Sequence, residues 1–521
     1  MRHPWDQRLG LWSIAEAHPE QPAVVECPSG VTLTFAALAG RAHQLVHTLR
    51  AQGIERGDIV AYALPNDVDP LVWQLAAQEG GIQAIALNPA LSAGEIDTIV
   101  EHSGASVLAV HEQLREHVGA LEASGRVRVR VSVGGPIDGF MPYDELTGGA
   151  RSTLPDDRSW GMPIFYSSGT TGKPKAIVRP VSVDADPLVM ADQSKLFGRA
   201  FQFQPLEGVH LVSAGMSHGG CQSFYLGALN VGQAVAIMGR FDPEVALATI
   251  ERHRVTTAYM VPTQFVRLLR LPPEVRDRYD VSSLQVVVHS AAPCPVEVKQ
   301  QMLDWWGPVI WETYGGMEGA ATIAKPHRWR ERPGTVGRAI AGMRVKILAD
   351  DGRELPPGET GNVFLEPDAP TFEYREDPEL TASVRRGRAF TLGDIGYRDD
   401  DGYLFLRDRA TDIIISGGVN IYPAEIEHVL ATHPLVGDVA VIGIPDREWG
   451  EQVKAVVELV DGPTPSPELA DELVAHCRQH LAGYKCPRSI DFCAELPRTD
   501  GGKLYKRLLR DESWAATRRQ V

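Results

Sequence analysis

Between residues 34 and 110 the hydrophobic period switches repeatedly between that of a helix and that of a strand. This alternation limits the possible folds more than any other feature of the chain. Phe35, Leu38, Ala42, Leu45, Val46 and Leu49 fall on one stripe of a helix over 34–52. Gly53 ends it, and residues 58–64 (DIVAYAL) read as a strand. A helix over 70–80, a strand over 82–87, a helix over 93–103 and a strand over 106–110 continue the series. The rhythm returns with strands over 209–214 and 231–238, a helix over 243–253 and a strand over 256–261. Strands separated by helices return in the same direction, so the expected fold class is α/β with mostly parallel strands.

From about Val336 the character changes. Residues 345–349, 361–366, 396–398 and 403–406 are short strands divided by DDG and PPGE turns, the pattern of a small barrel-like meander. After Arg409 a smaller α+β unit follows, with strands over 413–415, 436–444, 452–459 and 490–493 and helices over 423–432 and 469–481. A chain of 521 residues is too long for one core. The expected division is a large N-terminal domain, 1–409, and a small C-terminal domain, 410–521.

Charge and composition exclude several classes. Lys and Arg number 51 against 67 Asp and Glu, a net charge of −16, which argues against a nucleic-acid partner. No apolar run approaches the length of a membrane span, so no integral membrane segment is expected. The six cysteines are scattered without CxxC or other metal spacing, as suits a reducing cytoplasm.

Five segments carry chemistry. Residues 166–177, YSSGTTGKPKAI, place Ser167, Ser168, Gly169, Thr170, Thr171, Gly172 and Lys173 in succession between two strand-like runs. Bare amides, hydroxyls and a lysine on a glycine-loosened turn suit a polyphosphate. The spacing is not that of a Walker loop, because Ser167 stands where its first glycine belongs and Pro174 follows the lysine. Residues 314–319, YGGMEG, offer a ring for stacking and a carboxylate, Glu318, for Mg²⁺. Ser290, Ala291 and Ala292 are small residues after a strand at 285–288, useful where a flat base meets backbone. Residues 391–409, TLGDIGYRDDDGYLFLRDR, hold Asp394 and Arg409 fifteen residues apart. The last 25 residues carry seven basic against three acidic side chains, and Lys503 follows a double glycine there.

These segments, with ISGGVNIYPAEIE at 415–427, resemble in order and spacing the adenylate-forming superfamily. That superfamily contains acyl-CoA synthetases, peptide-synthetase adenylation domains and firefly luciferase, and the likeness covers almost the whole chain. The resemblance implies that residues 167–175 wrap the β- and γ-phosphates of ATP. It implies that Tyr314 stacks on adenine beside Ser290, Ala291, Ala292, Gly315, Gly316 and Met317. Glu318 would ligand Mg²⁺, Asp394 and Arg409 would hold the ribose, and Lys503 would bridge the carboxylate and α-phosphate. Coenzyme A would then attack the acyl-adenylate after the C-terminal domain rotates about Thr411, bringing Gly417 and Gly418 to the site, with Tyr484 and Lys485 in a CoA-ligase-like stretch. The implied partners are a small-molecule carboxylic acid, ATP and CoA; a homodimer stays open.

The chain departs from the superfamily in two places. Met317 replaces the usual Thr, and a thioether cannot donate to the α-phosphate. Thr411 replaces the usual Asp or Lys of the hinge. The resemblance places His218 at the mouth of the acyl pocket, and no acid between His210 and Gly220 would meet an amino acid's ammonium. Gly215, Gly219, Gly220, Gly315 and Gly316 imply a roomy cavity, for a medium- or long-chain fatty acid or a bulky ring acid. Two rival readings remain. Gly215-Met216-Ser217-His218-Gly219 matches a serine-hydrolase elbow, with Asp242 and His289 as triad candidates. The second rival is a nucleotide-binding relative without activity.

Overall fold

The computed structural model describes residues 4–27, 29–117, 126–167, 175–180, 184–409, 411–416, 419–446, 449–460, 462–498 and 504–518. Two sheets dominate the first four hundred residues. One is wholly parallel, in the order Gln83–Leu87, Ile59–Ala63, Val107–His111, Val129–Val133 and Met141–Pro142. The other runs Pro22–Cys27, Ala234–Met238, Val209–Val212, Thr257–Met260, Val286–His289 and Ile310–Gly316, again all parallel. Every residue of Ile59–Ala63 and of Ala234–Met238 is buried, which explains why these strands read as continuous apolar runs.

The helices Asp69–Gly80 and Gly219–Val231 are buried around almost their whole circumference, within one core shared by both sheets. Two of their glutamines pair within that core. The Gln74 side-chain oxygen accepts from the Tyr62 hydroxyl at 3.1 Å and from the Gln222 amide at 3.0 Å. The expected helices lie within a residue or two of their predicted ends. Thr34 caps Phe35–Ala51 by accepting from the Ala37 N–H at 3.2 Å.

The meander continues the second sheet. Gly319–Ala324 folds back on Ile310–Gly316, and Gly337–Ala339 then bridges to Tyr403–Arg409, Asp394–Arg398 and Gly361–Pro367. Beyond it, a five-stranded sheet of Val419–Ile421, Ile414–Ser416, Gly450–Leu459, Val436–Asp446 and Ser489–Cys493 packs against helices Pro423–Ala431 and Pro467–His480 around its own core. This unit meets the larger one through a few polar contacts. Arg270 donates to the carbonyls of Val436 and Gly437, and His428 pairs with Glu297 at 2.8 Å. Among the described residues no helix is long and apolar enough to cross a membrane. All six cysteines are free thiols.

Candidate active site

Ligands in open α/β sheets settle beyond the carboxyl ends of the strands. Three such ends hold residues singled out above: Ser213–His218 follow Val209–Val212, Ser290–Ala292 follow Val286–His289, and Met317–Glu318 follow Ile310–Gly316. Ser290 ties two of these strands together, its hydroxyl donating to the Thr313 carbonyl at 2.7 Å. Ala291 holds φ of 74°, a left-handed conformation that a residue with a Cβ rarely adopts.

The turn between Ile310–Gly316 and Gly319–Ala324 is tight. A bulge lies between Tyr314 and Gly315, and a Cβ on Gly315 would come within 2.6 Å of the Gly319 carbonyl oxygen. The Tyr314 hydroxyl donates to Asp394 at 2.6 Å, and Arg409 approaches the other Asp394 oxygen at 3.6 Å. Asp394 and Arg409 also face each other across paired strands, so their separation in sequence closes through one hairpin. Burial, and then the Asp394 charge, push the Tyr314 phenol well above its ordinary range, so it stays a donor.

Glu318 is held from a second direction. The Tyr374 hydroxyl donates to its carboxylate at 2.9 Å, and Thr371 donates to its backbone carbonyl at 2.6 Å. Tyr374 sits on the short strand Glu373–Tyr374, paired with Lys175–Val178, and the Lys175 ammonium lies 5.7 Å from its ring. The opposite edge of Lys175–Val178 pairs with Phe165–Ser167, with Ser167 opposite Lys175. The base of the glycine-rich loop is therefore closed beside Glu318. Ser168, Gly169, Thr170, Thr171, Gly172 and Lys173 lie outside the described residues, as do Gly417, Gly418 and Lys503.

On the acyl side, His218 stands half-buried at the start of Gly219–Val231, with the Gln222 N–H donating to its carbonyl at 2.9 Å. Several of the glycines singled out from the sequence lie in close contact with their neighbours. A Cβ on Gly219 would overlap the Met317 sulfur and reach 2.9 Å from the Phe165 ring. One on Gly220 would reach 2.5 Å from the Tyr259 hydroxyl, and one on Gly316 would lie 2.9 Å from Leu392. Behind Tyr259, Phe224 stacks at 5.0 Å, and Phe197 and Phe201 close on Phe224 at 5.0 and 4.8 Å. These glycines permit close packing at their own positions.

The hydrolase elbow is not assembled. Asp242 caps Pro243–His253 by accepting from the Val245 N–H at 2.9 Å, and His289 is buried 3.5 Å from Glu312. Among the described residues neither is joined to Ser217 by a hydrogen bond.

The model of the AMP-binding enzyme family matches residues 11–369, and the model of its C-terminal domain matches residues 425–503. The chain belongs to the AMP-binding enzyme family. It is 35% identical to a feruloyl-CoA synthase of Amycolatopsis sp over 515 residues, covering 96% of this chain and 98% of that one. It is 30% identical to the long-chain-fatty-acid–CoA ligase FadD13 of Mycobacterium tuberculosis, covering 96% and 97%. ATP-bound MatB from Rhodopseudomonas palustris superposes with a TM-score of 0.81 at 26% identity, covering 97% of this chain and 99% of that one.

In this AMP-binding enzyme the segment after Arg409 is anchored by a buried charge network that sequence reading missed. Asp408 accepts from the Ala424 N–H at 2.9 Å, and Lys506 pairs with Glu427 at 2.8 Å. Burial raises the Asp408 and Glu427 carboxyls, and the Lys506 charge opposes that rise. Arg510 donates to the Thr411 carbonyl at 2.9 Å. Lys485 is paired with Glu425 at 2.7 Å, while Tyr484 is exposed. Trp449, also missed, is exposed with the Arg488 guanidinium 5.5 Å from its ring. The tyrosine at 374 could not be singled out either, since its value comes from a strand pairing distant in sequence.

Proposed function

We propose that this AMP-binding enzyme is an ATP-dependent acid–CoA ligase that activates a compact aromatic carboxylic acid through an acyl-adenylate. The observation that carries the reading is the convergence of two anchored groups at one set of strand ends. Tyr314, Asp394 and Arg409 offer a ring and hydroxyl-binding groups, and Glu318 stands beside the base of the glycine-rich loop. Together they match the nucleoside and phosphate ends of ATP.

The carboxylate attacks the α-phosphorus in line and pyrophosphate departs; positioning and charge neutralisation supply most of the catalysis. Residues 167–173 grip the departing phosphates, and Lys503 neutralises charge between carboxylate and α-phosphate. A single carboxylate completed by phosphate oxygens fits Mg²⁺, which seldom needs a cage of protein ligands. Glu318 would hold that ion, which neutralises phosphate charge when bound. Tyr374 keeps Glu318 oriented.

CoA is the acceptor in the second step. Ile415 and Val419 flank Gly417 and Gly418 and are exposed, as are Tyr484 and Trp449 with its Arg488 partner. Aromatic faces and cations on one unit suit the adenine and phosphates of CoA. Rotation about Thr411 would bring this face to the adenylate.

The filled glycine positions and the ring cluster behind Tyr259 favour a flat aromatic acid over a long alkyl chain, in line with the feruloyl-CoA synthase relative. The test is a panel of aryl, arylpropenoic and fatty acids with ATP and CoA, read by mass spectrometry of thioester products. Aromatic acyl-CoA products are expected. Turnover confined to long-chain acids would refute the acid assignment, and no acid-dependent ATP–pyrophosphate exchange would refute the ligase.

A further inference from the structure

Met317 touches two parts of the site at once. It sits in the turn beside Glu318, and its sulfur lies against Gly219, the first residue of the helix that follows His218. Phe165, on the strand leading to the glycine-rich loop, lies against the same point of Gly219. Glycine is a poor helix former, and Gly219 is not among the residues with positive φ. Backbone conformation therefore does not require glycine there. Space does, because the Met317 sulfur occupies the volume that a side chain at 219 would fill.

From this interlock we propose that Met317 is a specificity-determining residue. Its thioether forms the wall between the acid's carboxylate end and the α-phosphate position, and it limits branching at the carbon next to the carboxylate. The inference rests on the acid–CoA ligase reading. Three features agree. The turn places residue 317 next to the group assigned to the phosphates, and the contact reaches the helix that begins at the acyl mouth. An unbranched thioether is also adaptable enough to seal an irregular gap. A flat acid with a trigonal α-carbon passes this wall, while an α-methyl group meets it.

The experiment compares cinnamic and α-methylcinnamic acid in acid-dependent ATP–pyrophosphate exchange. It uses the full-length wild type, Met317→Ala, Met317→Leu, Gly219→Ala and the double variant Gly219→Ala with Met317→Ala. One methyl in an apolar pocket changes selectivity by roughly 10- to 200-fold. Met317→Ala should therefore raise the kcat/KM ratio of branched to unbranched acid at least tenfold. Met317→Leu should keep the wild-type ratio. Gly219→Ala should lose exchange activity and melting temperature, and adding Met317→Ala should restore both. An active Met317→Ala enzyme with an unchanged ratio overturns the wall. So does a Gly219→Ala defect that Met317→Ala leaves in place. Wild-type exchange absent with every acid overturns the ligase reading itself, an outcome distinct from either of these.

Discussion

Lys299→Met tests whether the strand bearing Tyr314 depends on a buried ion pair. The Lys299 ammonium lies 2.6 Å from Glu312 and 4.7 Å from the Trp329 ring, with side-chain exposures of 0% and 10% for the pair. Burial pulls the lysine down and pushes the glutamate up, and each is the other's counter-charge. Methionine keeps the length and apolar stem of lysine but leaves Glu312 without its cation. Removing one partner of a buried pair costs about 3–5 kcal/mol. Against a typical total of about 5–15 kcal/mol, that is about a fifth or more of the stability. The second variant, Lys299→Met with Glu312→Leu, replaces the pair with apolar groups and should return to within about 1 kcal/mol of wild type. Urea unfolding followed by tryptophan fluorescence reads both. Glu312 lies two residues before Tyr314, so the single variant should also raise KM for ATP. A Lys299→Met protein within about 1 kcal/mol of wild type, or a double variant as unstable as the single, would refute the reasoning.

Three further outcomes are expected. Tyr374→Phe removes a hydroxyl from the Glu318 carboxylate, and losing one charge-assisted hydrogen bond of about 1.5–3 kcal/mol should raise the Mg²⁺ concentration for half-maximal exchange by tenfold or more. An unchanged Mg²⁺ titration would remove Tyr374 from the site. His210 is fully buried, and burial lowers its pKa to about 3. The unfolded chain, with an ordinary pKa near 6.5, binds the proton first as pH falls, so stability is lost below about 6.5 and continues to fall toward 3. Between pH 6.5 and 5 that loss is about 2 kcal/mol, and His210→Gln should flatten the acid limb by this amount; an unaltered limb counts against it. Lys503→Ala should abolish adenylation while leaving CoA attack on supplied acyl-adenylate. Equal loss of both half-reactions would contradict a two-orientation enzyme.

The sequence made the elements legible because burial wrote its period into them: continuous apolar runs for Ile59–Ala63 and a single stripe for Phe35–Ala51. The pairing of Asp394 with Arg409 was also within reach, since one hairpin joins them. Contacts made by distant segments were not. Nothing local marks Tyr374 as a partner of Glu318, because the link is a two-residue strand laid against Lys175–Val178. What the glycines at 219, 220, 315 and 316 lie against was not legible either, because a sequence names the missing side chain and not what stands opposite. Met317 was visible as a departure, yet its contact with Gly219 depends on how two strand ends and a helix meet.

The seam between the two units has a consequence for timing. Beyond the buried Asp408 anchor beside the hinge, it is made by Arg270 reaching two carbonyls and by a His428–Glu297 pair whose side chains are 34% and 51% exposed. Ion pairs this wet contribute about 0–1 kcal/mol and weaken with salt. Such a seam acts as a detent: it biases the smaller unit toward one pose without holding it there. If the smaller unit rotates as proposed, ionic strength becomes a dial on the traffic between poses, and the nucleotide, through its change from triphosphate to adenylate, is left to decide the direction.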